Sequence, residues 1–209
     1  TAYGKGATEA VDQAADEISR LDQLLSTGNE DSEIYKINQS GDGILSEETA
    51  YLVERSLDLY EATDGAFDIA IYPVMKAWGF TDDNFRVPDA DELKDLLTLT
   101  DASDISYDKE TSQIAFKKDG MQIDFGGIAK GYTSARIMDI FRACGIKSGL
   151  VNLGGNVQAL GTKKDGSSWR VAVQDPQDTD QYLGVLSIQD KAVITSGGYE
   201  RYFEQDGRT

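Results

Sequence analysis

A carboxylate, two adjacent glycines and a lysine lie close together in Asp124-Phe125-Gly126-Gly127-Ile128-Ala129-Lys130-Gly131-Tyr132. The stretch follows the apolar, strand-like Met121-Gln122-Ile123 and opens an amphipathic pattern from Ile128 to Cys144. Glycines let a backbone approach a ligand closely. A helix start offers unpaired N–H groups and the positive end of a dipole, which suits phosphate. Lys130 adds a cation, and Asp124 could hold a metal ion or a ligand hydroxyl. The turn therefore reads first as a site for a phosphate-bearing molecule. An ordinary strand–helix turn with a solvated lysine has the same residues, and local pattern leaves both readings open.

Four further segments carry similar residue types. Val151-Asn152-Leu153-Gly154-Gly155-Asn156 is a second glycine turn at a strand end, read locally as a tight β-bend, with a ring or phosphate lying against bare backbone as the alternative. Thr63-Asp64-Gly65-Ala66-Phe67-Asp68 places two acids around a glycine. Asp64 reads as a solvated helix terminus, while Asp68 stays open as a ligand contact. Trp78-Gly79-Phe80 reads as core, with a ligand wall as the alternative. Thr195-Ser196-Gly197-Gly198-Tyr199 reads as a turn, with a phosphate-facing loop as the sharper alternative.

The chain of 209 residues carries 37 acids against 20 bases, a formal charge of −17. Such a surface repels nucleic acid and anionic lipid, so neither is expected as a partner. Histidine is absent. That removes the commonest general base and the commonest transition-metal ligand, leaving Asp, Glu, Lys or Tyr for proton transfer and oxygen ligands for a hard cation. The single cysteine, Cys144, falls on an apolar helix face and reads as a core thiol. No apolar run is long enough to span a membrane. The chain starts at Thr1 without a methionine and stops just after a strand-like stretch, so it reads as one domain over 1–209, cut from something longer at both ends.

Positioning these residues requires regular elements. Residues 7–25 set Ala7, Ala10, Val11, Ala14, Ile18, Leu21 and Leu25 on one helical face. A short helix follows Asp31-Ser32, and Gly41-Asp42-Gly43 reads as a turn. Ser46 caps a helix to about Ala62, and Asp89 to Leu97 predicts another. Ile105-Tyr107 and Gln113-Phe116 predict a hairpin, so 81–120 could form a small inserted subdomain. After residue 145 the pattern is all strand: 148–152, 157–161, 169–173, 183–188 and 192–195. A helical first half and a strand-rich second half predict an α/β or α+β fold with the helices packed on a sheet.

Taken in order, these segments resemble the ApbE family of FAD:protein FMN transferases. The matching pieces are Leu25-Ser26-Thr27 with Asp31-Ser32-Glu33 and Asn38; Thr63 to Asp68; Trp78-Gly79-Phe80; and Asp124 to Tyr132. They continue with Val151 to Asn156, Trp169-Arg170-Val171 with Gln174-Asp175-Pro176, and Thr195 to Phe203. Seven ordered segments over nearly the whole chain carry the resemblance; one glycine turn alone would be weak.

The resemblance implies a flavin-transferase fold that binds FAD with Mg2+, transfers FMN to a Thr or Ser of an acceptor protein and releases AMP. Hydrolysis of FAD to FMN and AMP, or flavin binding without catalysis, are the alternative readings. It implies that Ala66, Phe67 and Asp68 contact the flavin nucleotide, that Asp124 binds FAD and that Lys130 sits near the phosphates. Asn152, Gly154, Gly155, Thr195 and Ser196 would line the pocket. The carbonyl of Gly127 would be a magnesium ligand, with the other ligands expected beyond residue 209. Asp124 is one candidate for the catalytic base; a residue outside this chain is another. Gly28 stands where the family often has an aromatic residue that stacks on the nucleotide. The resemblance also implies an acceptor among subunits of membrane redox complexes. It further implies export to the outer face of the membrane or the periplasm, held by a lipid anchor outside this segment.

Overall fold

The computed structural model describes residues 1–197 and 202–205. The chain forms two compact units: Thr1–Leu21 with Lys130–Tyr202, and Asp22–Ala129 with Phe203–Thr209. Gly198, Tyr199 and the two residues after them, part of the Thr195-to-Phe203 segment, lie outside the described residues.

The first unit is a sheet covered by helices. Strand β1 (Ala2–Tyr3) pairs antiparallel with β5 (Ser148–Leu153), which pairs with β6 (Asn156–Gly161), which pairs with β9 (Ala192–Ile194). Its helices are α1 (Ala7–Leu25), whose last turn passes into the second unit, and α6 (Ala129–Ala143). Ala10 and Ala14 of α1 meet Ile137, Met138 and Phe141 of α6, with Ile146, Val151 and Leu160 completing the cluster. Val11 and Ile18, expected on the buried face of α1, are 41% and 38% exposed. Ala10 and Ala14 supply the buried apolar part of α1 here, while Leu21 and Leu25 further along are buried as expected. A hairpin of β7 (Trp169–Gln174) and β8 (Tyr182–Ile188) packs Trp169, Val171 and Ile188 on Ala159.

The second unit holds α2 (Glu33–Ser40), β2 (Asp42–Ile44), α3 (Glu47–Ala62), α4 (Tyr72–Ala77), α5 (Ala90–Leu97), β3 (Ile105–Asp108) and β4 (Gln113–Phe116). Ser32 caps α2 by accepting from Tyr35 N–H, and Asp89 caps α5 by accepting from Glu92 N–H. Strand β4 pairs with β3 and also with β2, which lies outside the stretch 81–120.

Two expected local structures differ. Gly41-Asp42-Gly43 is not a free turn: Gly41 ends α2 at φ 79° and Asp42–Ile44 then joins β4. A Cβ on Gly43 would fall 2.3 Å from Ile37 Cδ1, so a side chain there would have to displace the end of Ile37. Met121-Gln122-Ile123 is apolar as expected, with Met121 and Ile123 buried, but belongs to no strand ladder. Ile123 is instead paired by the side chain of Asn38. Among the described residues, no helix is long and apolar enough to cross a membrane.

Candidate functional site

In the second unit the Asp124 turn is anchored from below. Phe125 is 1% exposed, and its carbonyl accepts from Ile128 N–H (2.9 Å) and Ala129 N–H (2.7 Å). These bonds turn the chain into α6. Asp124 N–H donates to Ile69 O (2.9 Å), and Asp124 Oδ1 accepts from Gly126 N–H (2.7 Å). The carboxylate thus closes its own turn, leaving Gly126 and Gly127 at the surface. A Cβ on Gly127 would lie 2.8 Å from Phe67 Cε2. The structure therefore brings Phe67 and Gly127 together, an aromatic edge against bare backbone.

Phe67 is held by Phe67 N–H donating to Thr63 Oγ1 (3.0 Å) after α3 ends with Asp64 at φ 51° and Gly65 at φ 79°. Asp68 is half-buried. Its Oδ1 accepts from Ala70 N–H (2.7 Å) and its Oδ2 from Ala102 N–H (3.2 Å). Burial raises its pKa above the usual carboxylate range, and Asp101 adds to this, while the two amides oppose it. Asp68 is thus a local organiser of the backbone, and Ala66 beside it is exposed. Trp78 and Phe80 enter an aromatic cluster with Phe85 and Phe203. Neither Trp78 nor Phe80 is fully buried, and Phe85 is 43% exposed, so the cluster is a half-exposed aromatic patch and not the buried core expected of them.

In the first unit the β5–β6 hairpin turns at Gly154 and Gly155, which have φ of 53° and 81°. Two successive positive-φ residues make the tight turn that twisted strands favour, and glycine adopts it without strain. Asn152 Oδ1 accepts from Gly155 N–H (3.1 Å), and Thr195 N–H donates to Gly155 O (3.3 Å). A Cβ on Gly155 would lie 3.0 Å from Thr195 Oγ1, and one on Gly154 would lie 3.5 Å from Lys130 Nζ. An ammonium group, bare glycine backbone and a hydroxyl therefore converge here, a set suited to an anion with several oxygens. Ser196 follows Thr195 and is exposed. A cavity of about 200 Å³ is lined by Asn152, Gly155, Thr195 and Gln174, among others.

Two features escaped sequence reasoning. Gln174, part of the Gln174-Asp175-Pro176 segment that carries the resemblance but given no site role there, lines that cavity from the end of β7. Ser134 on α6 is 1% exposed and bonds Asn156, 5% exposed, at 3.4 Å, tying the helix that carries Lys130 to the strand leaving the glycine turn. The signal was a serine four residues after Lys130 at an apolar-face position.

Gly127 offers one hard backbone oxygen, which fits one position of a magnesium ion's shell and no more. Among the described residues no group of three or more Asp, Glu or Cys could hold a metal ion.

A family model described as the ApbE family matches residues 1–209. A protein of Klebsiella pneumoniae (strain 342) called FAD:protein FMN transferase is 34% identical over 195 residues, spanning 91% of this chain and 60% of its own length. One of the same name from Treponema pallidum (strain Nichols) is 34% identical over 226 residues, spanning 98% of this chain and 62% of its own. The crystal structure of the ApbE protein from Thermotoga maritima superposes with a TM-score of 0.93 at 31% identity, over 99% of this chain and 68% of that one. The apo form of Pseudomonas stutzeri flavinyl transferase ApbE gives 0.84 at 30% identity, over 99% and 64%. The chain thus spans about 60% of the length of the curated relatives it matches.

Proposed function

The chain belongs to the ApbE family, and from that premise we propose that it is the larger part of an FAD:protein FMN transferase. The observation that carries this reading is the placement of Lys130 Nζ over the Gly154–Gly155 turn, beside Thr195. Those groups suit a diphosphate, and relatives at 34% identity bear the transferase name.

In the proposed reaction an acceptor Thr or Ser hydroxyl attacks the phosphorus of the FMN half of FAD. The bond from that phosphorus to the bridging oxygen breaks, AMP leaves with the oxygen, and the hydroxyl proton passes to a base. Asp124 is proposed to bind the nucleotide and to receive that proton. Lys130 offsets charge on the phosphates, and the amides of the glycine turn add fixed dipoles. Ala66, Phe67 and Asp68 are proposed as nucleotide contacts, and Asn152, Gly154, Gly155, Thr195 and Ser196 as phosphate-side contacts, each set on the geometry of its own unit. Magnesium dependence belongs to the same proposal. Gly127 would give one oxygen ligand, residues beyond 209 the rest, and the cation would neutralise charge developing on the phosphates.

The acceptor is proposed to be a flavoprotein subunit of a membrane redox complex, met at the outer face of the membrane or in the periplasm by a lipid-anchored protein. The test is to incubate the full-length protein with FAD, Mg2+ and such a subunit. A covalent FMN mass on an acceptor Thr or Ser supports the proposal. Free FMN plus AMP, without acceptor modification, makes the protein an FAD pyrophosphatase. Tight FAD binding without turnover makes it a flavin-binding module.

A further inference from the structure

We propose that Asn38 is a positioning residue for Asp124, acting through the backbone of Ile123; the inference rests on the flavin-site reading of the Asp124 turn. Helix α2 buries Ile34, Ile37 and Asn38. These are positions i, i+3 and i+4, so Asn38 is a polar residue on an apolar stripe. It is 7% exposed, and a carboxamide so buried needs partners.

Both of its partners belong to one residue 85 positions away. Ile123 N–H donates to Asn38 Oδ1 at 2.7 Å, and Asn38 Nδ2 donates to Ile123 O at 2.8 Å. This is the pair of bonds a neighbouring strand would make, supplied by one side chain. It explains how Ile123 lies buried without a ladder. Gln122 adds a bond from its Nε2 to Asn38 O at 3.3 Å.

Asp124 comes next in the chain, and its own N–H is taken by Ile69 O. The peptide leading into the carboxylate is thus clamped on both sides before Asp124 Oδ1 receives Gly126 N–H. Two short bonds in a buried setting fix the direction in which Asp124 leaves the core. A carboxylate that must meet a nucleotide needs that direction held to a fraction of an ångström.

The test compares full-length Asn38→Asp and Asn38→Ala with Ile34→Val, a packing change on the same helix face. The ionised carboxylate introduced by Asn38→Asp would keep an acceptor for Ile123 N–H but offer no donor to its carbonyl. Both Asn38 variants are expected to raise the KM for FAD at least ~tenfold at a temperature where they remain folded, with Ile34→Val within about twofold of the parent. In the unaltered protein, hydrogen exchange at the Ile123 amide is expected to be slow although it lies in no strand. Fast exchange at Ile123, Asn38 variants within about twofold of the parent, or an equal loss in Ile34→Val would each overturn the inference. Asp124→Ala separates the two levels. If it weakens FAD use while the Asn38 variants do not, positioning alone fails; if neither changes anything, the site reading fails with it.

Discussion

Phe67 occupies the space that a side chain at residue 127 would need: its Cε2 stands 2.8 Å from the Cβ position of Gly127. The backbone of Gly127 is not in the left-handed region, so the constraint is the ring and not the dihedral angle. Phe67 is only half-buried, so its ring edge can swing away. Gly127→Ala is therefore expected to cost little stability, about 1 kcal/mol or less. It should nonetheless displace the aromatic edge and weaken FAD binding. Thermal melts and a flavin titration check the two parts. A large fall in Tm with unchanged FAD affinity would assign Gly127 to folding alone.

Lys130 is exposed and lies beside Gly154, so removing it should leave the fold intact. One charge-assisted contact to phosphate is worth about 1.5 kcal/mol, so Lys130→Ala should raise the FAD Kd roughly tenfold. Added salt should weaken the parent more than the variant, because screening acts on the lost pair. Calorimetric titration at two ionic strengths reads both effects.

Glu17 on α1 joins Arg20 at 2.8 Å and Arg136 of α6 at 3.1 Å. Arg20 first, and Arg136 after it, hold its carboxyl down to about 2, against the opposing effect of burial. The folded pKa lies below the ordinary value of 4.5, so the carboxylate stabilises fully above pH 4.5 and progressively less as pH falls towards 2. Both arginines are nearly half exposed, at 46% and 43%, so solvent screening limits the effect to on the order of 1–2 kcal/mol. Glu17→Gln should be less stable than the parent at pH 7, with the gap closing between pH 4.5 and 2. Denaturant melts across that range measure it. A gap that stays constant would exclude the carboxylate's charge as the cause.

Much of this was legible in the sequence because local signals and tertiary structure agree. The helix starts after Asp31-Ser32 and at Asp89, the stop at Asp64-Gly65 and the Gly154–Gly155 turn each follow from one or two residue types. Ser46, expected to cap α3, stands at its N-cap position but bonds no backbone N–H with its side chain, which meets Thr49 Oγ1 instead. Other features depend on partners far along the chain. Met121-Gln122-Ile123 has the composition of a strand, but its partner is a side chain on α2. Gly41-Asp42-Gly43 has the composition of a turn, but β4, distant in the chain, arrives to pair with it. Val11 and Ile18 fit the periodicity of α1, yet it is Ala10 and Ala14 that enter the buried cluster with Ile137, Met138 and Phe141. Asp68 was open as a ligand contact by residue type; its bonds to the amides of Ala70 and Ala102 depend on the fold and carry no local signal. The turns could be read locally, whereas the register that aims their side chains is a long-range property.

The most direct measurement is a crystal structure of the full-length protein soaked with FAD. The diphosphate is expected within about 3 Å of Lys130 Nζ, against the bare backbone of Gly154 and Gly155. Flavin dinucleotide bound elsewhere, with Lys130 and that turn facing solvent, would contradict the account.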